Sequence, residues 1–323
     1  MIERVLVIKL SALGDFVLSI GAFQAIRRHH PEARITLLTT GPFTGLAEAS
    51  GCFDQVWCDS RPGLGQVGAW LALARRLRSG RFQRVYDLQR SDRSGWYFRL
   101  LARPKPEWVG TVSGCSHRYR QPAGPPQHIA ARQAAQLAMA GIEAVPAPDL
   151  SFLTADLGKF NLPKAYALLV PGGAPHRPAK RWPAARFAEL AQVIAERGLA
   201  PILLGTAPEA KALTDIATAC ATAHNLCGGT DLAEIATLAR QAAFAVGNDT
   251  GPMHLISAAG CPVVSLFSAD SDPAKVAPIG PSVAVLRRDD LSELPLEAVL
   301  EVLPKIPPSP TLDKPGEKET STP

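Results

Sequence analysis

Three short stretches of the chain combine residue types that can move a proton or hold a phosphate. The first is Lys9-Leu10-Ser11-Ala12-Leu13-Gly14-Asp15, directly after the β-branched run Arg4–Ile8. A carboxylate at this place can take a proton from an incoming hydroxyl, and Gly14 leaves room for close approach. A helix start favours the ionised carboxylate at some cost to its strength as a base. Asp15 can equally be a plain helix cap. The second stretch runs from Val170 through Gly172 and Gly173 to Lys180-Arg181-Trp182-Pro183. Glycines there let backbone N–H groups approach a ligand, and Lys180 and Arg181 bring the positive charge that a diphosphate requires. The competing reading is a proline-rich surface loop with solvated cations. The third stretch is Gly247-Asn248-Asp249-Thr250-Gly251-Pro252-Met253-His254. The amides of Thr250 and Gly251 at a helix start suit an anion, although Asp249 and Thr250 can also serve as caps and His254 as an interior histidine. A fourth, weaker loop, Gly205–Glu209, offers Glu209 as an acceptor for a ligand hydroxyl.

Each of these stretches must be presented by an element. Strand-like runs at Arg4–Ile8, Arg34–Leu38 and Val85–Leu88 alternate with helical patterns at Asp15–His29 and Ala69–Arg78. A proline-rich, irregular middle follows, with one helix near Ile129–Ala140. The rhythm then restarts: strands at Tyr166–Val170, Ala200–Leu204, His224–Leu226, Phe244–Gly247 and Pro262–Phe267, and helices at Pro183–Arg197, Pro208–Ala221, Asp231–Gln241 and Gly251–Ala259. Strands alternating with helices predict parallel sheets covered on both faces. In such sheets ligands sit beyond the carboxyl ends of the strands, which is where the four loops fall. We expect an α/β protein with two domains, residues 1–155 and 156–303. The tail 304–323 (PKIPPSPTLDKPGEKETSTP) has too little apolar content to fold, so disorder is expected there.

With 323 residues, 46% apolar and 20% charged, the composition is that of a globular protein with room for two cores. Lys9 and Asp15 interrupt the N-terminal apolar stretch, and Leu255–Ala269 is too short to span a bilayer, so a cytosolic protein is expected. Six scattered cysteines without a C-x-x-C pair read as reduced thiols. Neither H-x-H nor H-E-x-x-H occurs, and a G-x-S-x-G elbow is missing, which leaves a metal site or a hydrolase triad without support. Up to Arg132 the chain carries 19 basic and 9 acidic residues; beyond it, 15 and 20. The excess concentrates between Arg75 and Arg132, and no nucleic-acid-binding signature accompanies it. The first domain should therefore face something anionic, such as a lipid head group or an anionic membrane surface.

The segments K-x-S-x-L-G-D, P-G-G…K-R-W-P and N-D-T-G-P-M-H, in this order and spacing over about Met1–Leu303, resemble glycosyltransferase family 9, the ADP-heptose:lipopolysaccharide heptosyltransferases. The resemblance implies a GT-B architecture, two Rossmann-like domains facing a central cleft. It also implies metal-independent, cofactor-free transfer with inversion, and closure of the domains over the donor. On matching positions, Asp15 resembles the general base and Lys180 the lysine on the donor diphosphate. Gly14, Gly172, Gly173, Arg181, Asp249, Thr250, Gly251 and His254 match donor-binding positions, and Glu209 and Thr230 fall where the nucleoside binds. Lys9, Ser11, Arg90, Arg93, Arg118 and Arg120 are the expected acceptor contacts. The partners implied are ADP-heptose, an anionic lipopolysaccharide core and the inner membrane by peripheral contact, with no nucleic acid. A transferase using another nucleotide sugar, such as a hexose or N-acetylhexosamine donor, remains open, as does a catalytically silent sugar-nucleotide-binding protein.

Overall fold

In the computed structural model, which describes residues 2–304 apart from 64, 102 and 174–177, the chain forms two lobes, each with one parallel sheet. The first sheet consists of β1 (Arg4–Ile8), β2 (Arg34–Thr39), β3 (Gln55–Cys58), β4 (Arg84–Asp87), β5 (Glu107–Gly110) and β6 (His117–Arg118). Its helices are α1 (Leu13–Leu18), α2 (Ile20–His29), α3 (Thr44–Ala49), α4 (Val67–Ser79), α5 (Asp92–Leu100) and α6 (Ile129–Ala138). The second lobe holds β7 (Tyr166–Val170), β8 (Ala200–Leu203), β9 (His224–Asn225), β10 (Ala245–Asn248), β11 (Val263–Phe267) and β12 (Val283–Arg287). With them go α7 (Ala184–Glu196), α8 (Ala210–Ala219), α9 (Leu232–Gln241), α10 (Gly251–Ala258), α11 (Pro273–Val276) and α12 (Leu296–Val302).

Counted from its own first strand, each sheet has the order 3-2-1-4-5-6. This is the doubly wound Rossmann order, and the strand order reverses between β1 and β4 in one lobe and between β7 and β10 in the other. Ile8 lies beside Asp87 across the first switch, and Gly247 beside Val170 across the second. The loops singled out by sequence therefore leave the sheets at the two crevices where this topology places ligands. Val5–Ile8 and Tyr166–Val170 are buried throughout, as strands covered on both faces must be.

The expected helix over Asp15–His29 divides into α1 and α2 at Ser19. The Ser19 hydroxyl donates to the Asp15 carbonyl at 2.6 Å, a bond back to residue i−4 that bends helices. The middle region expected to be irregular contains two strands, β5 and β6, of only four and two residues. Also absent from the sequence reading are β3, α3, α5, α11, β12 and α12. The expected disorder of the tail falls on residues 305–323, outside those described. One apolar cluster runs through both lobes, joining Phe16 and Ile20 of the first to Met253 and Leu255 of the second. Two further clusters fill the remaining faces of each sheet.

Candidate active site

The two lobes meet through the first turns of α1 and α10. A Cβ on Gly14 would stand 2.7 Å from the His254 ring, and one on Gly251 would stand 2.7 Å from the Leu13 Cβ. Only hydrogen at both positions lets the helices approach this closely. The donor-binding expectation for Gly14 thus gains a different physical content: the residue forms a lobe contact. A second link comes from His128, which caps α6 and whose Nε2 donates to the Ala277 carbonyl at 2.9 Å.

Asp15 occupies the third position of α1, and the helix cap is Ala12, which makes no side-chain capping bond. The carboxylate is thus free of the capping role that its sequence position also allowed. It is 37% exposed and lines a cavity of about 290 Å³ together with Lys9, Gln89, Arg90, Arg132 and Gln133. Lys9 Nζ lies 3.7 Å from Asp15 Oδ2. Burial lowers the proton affinity of the Lys9 ammonium, against the opposing pull of Asp15 and Asp87. The Gln89 side chain holds the loop in place by accepting from the amides of Leu10 (2.7 Å) and Ser11 (3.2 Å). Arg90 has a left-handed backbone (φ 54°), and its amide donates to Asp87 Oδ1 at 2.9 Å. The Nε atoms of Arg90 and Arg132 are buried without a protein partner. Three cations around one carboxylate make this cavity an anion receptor beside a base.

Of the other expected acceptor residues, Arg93, Arg118 and Arg120 do not line the cavity. Arg93 donates to the Pro62 carbonyl at 3.0 Å and lies over the Trp70 ring, tying α5 to the segment before α4. Arg118 and Arg120 are exposed, and Arg118 donates at 3.4 Å to the Thr111 carbonyl. The Ser11 hydroxyl is likewise outside the lining. Arg132 and Gln133, which the sequence reading missed, reach the cavity from α6. Their signal was an arginine on a helix 42 positions from Arg90, which only the fold brings alongside.

In the second lobe Lys180 Nζ and Asp249 Oδ2 pair at 2.7 Å, with side-chain exposures of 11% and 8%. Burial would raise the Asp249 carboxyl, but His254, Lys180 and Ser271 outweigh it and hold it at about 2. His254 Nε2 stands 3.9 Å from Asp249 Oδ1, and its Nδ1 is buried without a partner. Arg181 donates to the Gly173 carbonyl at 2.8 Å. A residue that sequence analysis passed over, Asn248, pins the two loops together. Its side chain accepts from the Trp182 amide (3.0 Å) and donates to the carbonyls of Pro171 (2.8 Å) and Gly172 (3.1 Å).

Gly172, Gly173, Thr250, Pro252 and Glu209 line a second cavity of about 290 Å³, with apolar walls from Val170, Leu204 and Pro208. A Cβ on Gly172 would stand 2.9 Å from Glu209 Cγ, so glycine keeps this mouth open. Glu209 Oε2 accepts from the Thr206 amide (2.9 Å) and hydroxyl (2.5 Å), which gives it a capping role while it faces the cavity. Thr230 precedes Asp231, the cap of α9, and does not line this cavity. Residues 174–177, in the same loop between Gly173 and Lys180, lie outside the described residues. A D-x-D pair of the kind that can hold a divalent ion against a nucleotide, which the sequence reading counted as missing, does occur at Asp270-Ser271-Asp272; there Asp272 caps α11 through the Ala274 amide (3.1 Å).

Comparison with known proteins follows the same lines. The sequence model for glycosyltransferase family 9 (heptosyltransferase) matches residues 70–304. Lipopolysaccharide heptosyltransferase 2 of Escherichia coli strain K12 is 34% identical over 120 residues, which are 36% of this chain and 34% of that protein. The match therefore spans about a third of that relative's length. Among solved structures, E. coli ADP-heptose lps heptosyltransferase II superposes with a TM-score of 0.77 at 23% identity, covering 92% of this chain and 96% of that one. E. coli heptosyltransferase WaaC with ADP gives 0.73 at 21% identity over 92% and 98%. At these identities the two structures share the fold, a GT-B pair of Rossmann-like lobes. With its model matched over most of the sequence, and both glycine-bearing crevices in place, the chain belongs to glycosyltransferase family 9.

Proposed function

We propose that the protein is a heptosyltransferase, moving a heptose from ADP-heptose to an anionic lipopolysaccharide inner-core acceptor with inversion and without a metal ion. The observation that carries this reading is the interlock of α1 with α10. Through Gly14 and His254 it sets the Asp15-bearing first turn of α1 in one lobe against the Asp249–Lys180 pair of the other. The apolar cavity beside Gly172 and Glu209 suits an adenosine, with the diphosphate toward the Thr250–Gly251 turn. An acceptor hydroxyl in the Lys9–Arg90–Arg132 cavity loses its proton to Asp15 as its oxygen bonds to the anomeric carbon. The bond from that carbon to the diphosphate oxygen breaks, and its electron pair leaves with ADP. Lys180, Arg181 and the amides of the α10 first turn stabilise the charge that develops there. Attack on the face opposite ADP gives inversion.

The membrane and cytoplasmic parts of this reading rest on the basic first lobe and on Val67 and Leu71. These stand exposed on successive turns of α4 ahead of Arg75 and Arg78, as a helix lying against an anionic inner leaflet would present them. Among the described residues no helix is long and apolar enough to cross a membrane.

The test is Asp15→Ala. Its transfer rate should fall by about 10² to 10⁴, the usual worth of a general base, while calorimetric binding of ADP-heptose stays near wild type. Near-wild-type turnover would remove Asp15 from the role. Activity should survive EDTA, and NMR of the product should show the anomeric configuration opposite to that of the donor.

A further inference from the structure

A third cavity, of about 490 Å³, adjoins the one around Asp15. Arg90 and Thr111 line both, so a groove leads from the reacting centre past these two residues and along the first turns of α5. At its far side stands Trp96. Ser94, Tyr97 and Phe98 turn the buried face of α5 inward, which leaves Asp92, Trp96 and Arg99 on the open face. Trp96 is 50% exposed, with the Arg99 guanidinium 4.7 Å from its ring centroid. That cation holds the ring from one face and itself lines the groove, while half of the Trp96 side chain stays open to solvent. Asp92, Ser113 and Thr111 supply hydrogen-bonding groups around the same space. An aromatic face rimmed by hydroxyls and charges is the chemistry that recognises a pyranose: ring C–H bonds lie on the π face and sugar hydroxyls meet the rim.

The junction points the same way. Arg90 holds its left-handed backbone although it is not glycine, and its buried Nε has no protein partner. A strained residue with an unused donor between two cavities fits a site meant to be filled by ligand.

We propose that Trp96 and the groove from Arg90 form a second acceptor subsite, which takes a pyranose ring of the acceptor saccharide beyond the sugar whose hydroxyl reacts. This rests on the reading of the Asp15 cavity as the acceptor site. Binding energy from a remote sugar orients the reacting one, so the subsite sets which acceptors are used.

The experiment compares transfer of heptose from ADP-heptose to a single-sugar core glycoside and to the deacylated core oligosaccharide. Wild type should prefer the oligosaccharide in kcat/KM. Trp96→Ala should cut that preference by roughly tenfold, the worth of stacking on an aromatic face, and leave the monosaccharide rate and the donor KM unchanged. Trp96→Phe should restore part of it. Gly95→Leu is the second variant: its Cβ meets only Val112 Cγ2 at an ordinary 3.7 Å, and the rest of the side chain narrows the groove that Gly95 lines. It should reproduce the effect of Trp96→Ala. If the wild type uses both acceptors and both variants keep its preference, or both slow the two acceptors equally, the subsite is wrong and the reading of the catalytic cavity stands. If the wild type transfers to neither acceptor, that reading has failed and the subsite falls with it.

Discussion

Asp249 and Lys180 form an ion pair almost removed from water, and such pairs are costly to break and cheap to replace as a unit. Lys180→Met should therefore lower stability by about 3 kcal/mol, because the Asp249 carboxylate is left buried with His254 for company. The double variant Lys180→Met/Asp249→Leu should recover most of that loss in denaturant unfolding yet transfer no sugar. Recovery of activity with stability would make the pair a packing device only. Asp87 shows the opposite electrostatics. Burial lifts its carboxyl to about 6, against the Arg90 and Gln89 amides, Ser94 and Lys9. The native state thus binds this proton more tightly than the unfolded chain does. The resulting stability is complete below the ordinary carboxylate range and is lost as pH rises through about 6. Asp87→Asn should flatten the fall in unfolding midpoint between about pH 4 and 6. A variant that keeps the wild-type slope would assign that titration to another group.

At the scale of elements, the proposed transfer requires α1 and α10 to meet through glycine. Gly14→Ala drives a methyl into the His254 ring and Gly251→Ala drives one into Leu13. Each should force the helices apart. A misplacement of about 1 Å between reacting groups costs on the order of 10² in rate, so both variants should lose transfer by about that factor. For Gly14→Ala, ADP affinity in calorimetry should change far less, because the cavity proposed for the nucleotide is lined by the second lobe alone. Equal losses of ADP affinity and turnover in that variant would show that Gly14 serves the nucleotide and not the lobe contact. Asn248 does comparable work between loops, tying the end of β10 to Pro171, Gly172 and Trp182.

Across the whole molecule, charge is divided between the lobes, with the cations gathered on the first. Exposed charges are screened within about 8–10 Å at physiological salt. Raising the salt from about 0.05 to 0.5 M should therefore increase KM for a lipid-borne acceptor several-fold, while KM for ADP-heptose, the donor we propose for the buried pair and backbone amides, changes little. A parallel rise in both constants would count against the first lobe as the anionic acceptor's docking side.

Much of the architecture is legible in the chain itself. Short apolar runs such as Arg4–Ile8 and Tyr166–Val170 declare buried parallel strands, and the glycine-bearing loops after them declare the crevices. Local patterning failed at β5 and β6, which are too short to show a period, and at Ser19, where one hydroxyl bends an apparent single helix. What the sequence could not rank was convergence. Arg90, Arg93, Arg118 and Arg120 look alike in sequence, yet Arg90 enters the cavity with Arg132 while Arg93 is spent on Pro62 and Trp70. The residues themselves determined two Rossmann-like sheets and the loops that carry the chemistry, because element type follows from local periodicity. Tertiary structure alone decided which side chains share a cavity and why Gly14 must be glycine, because those contacts join strands and helices far apart in the chain.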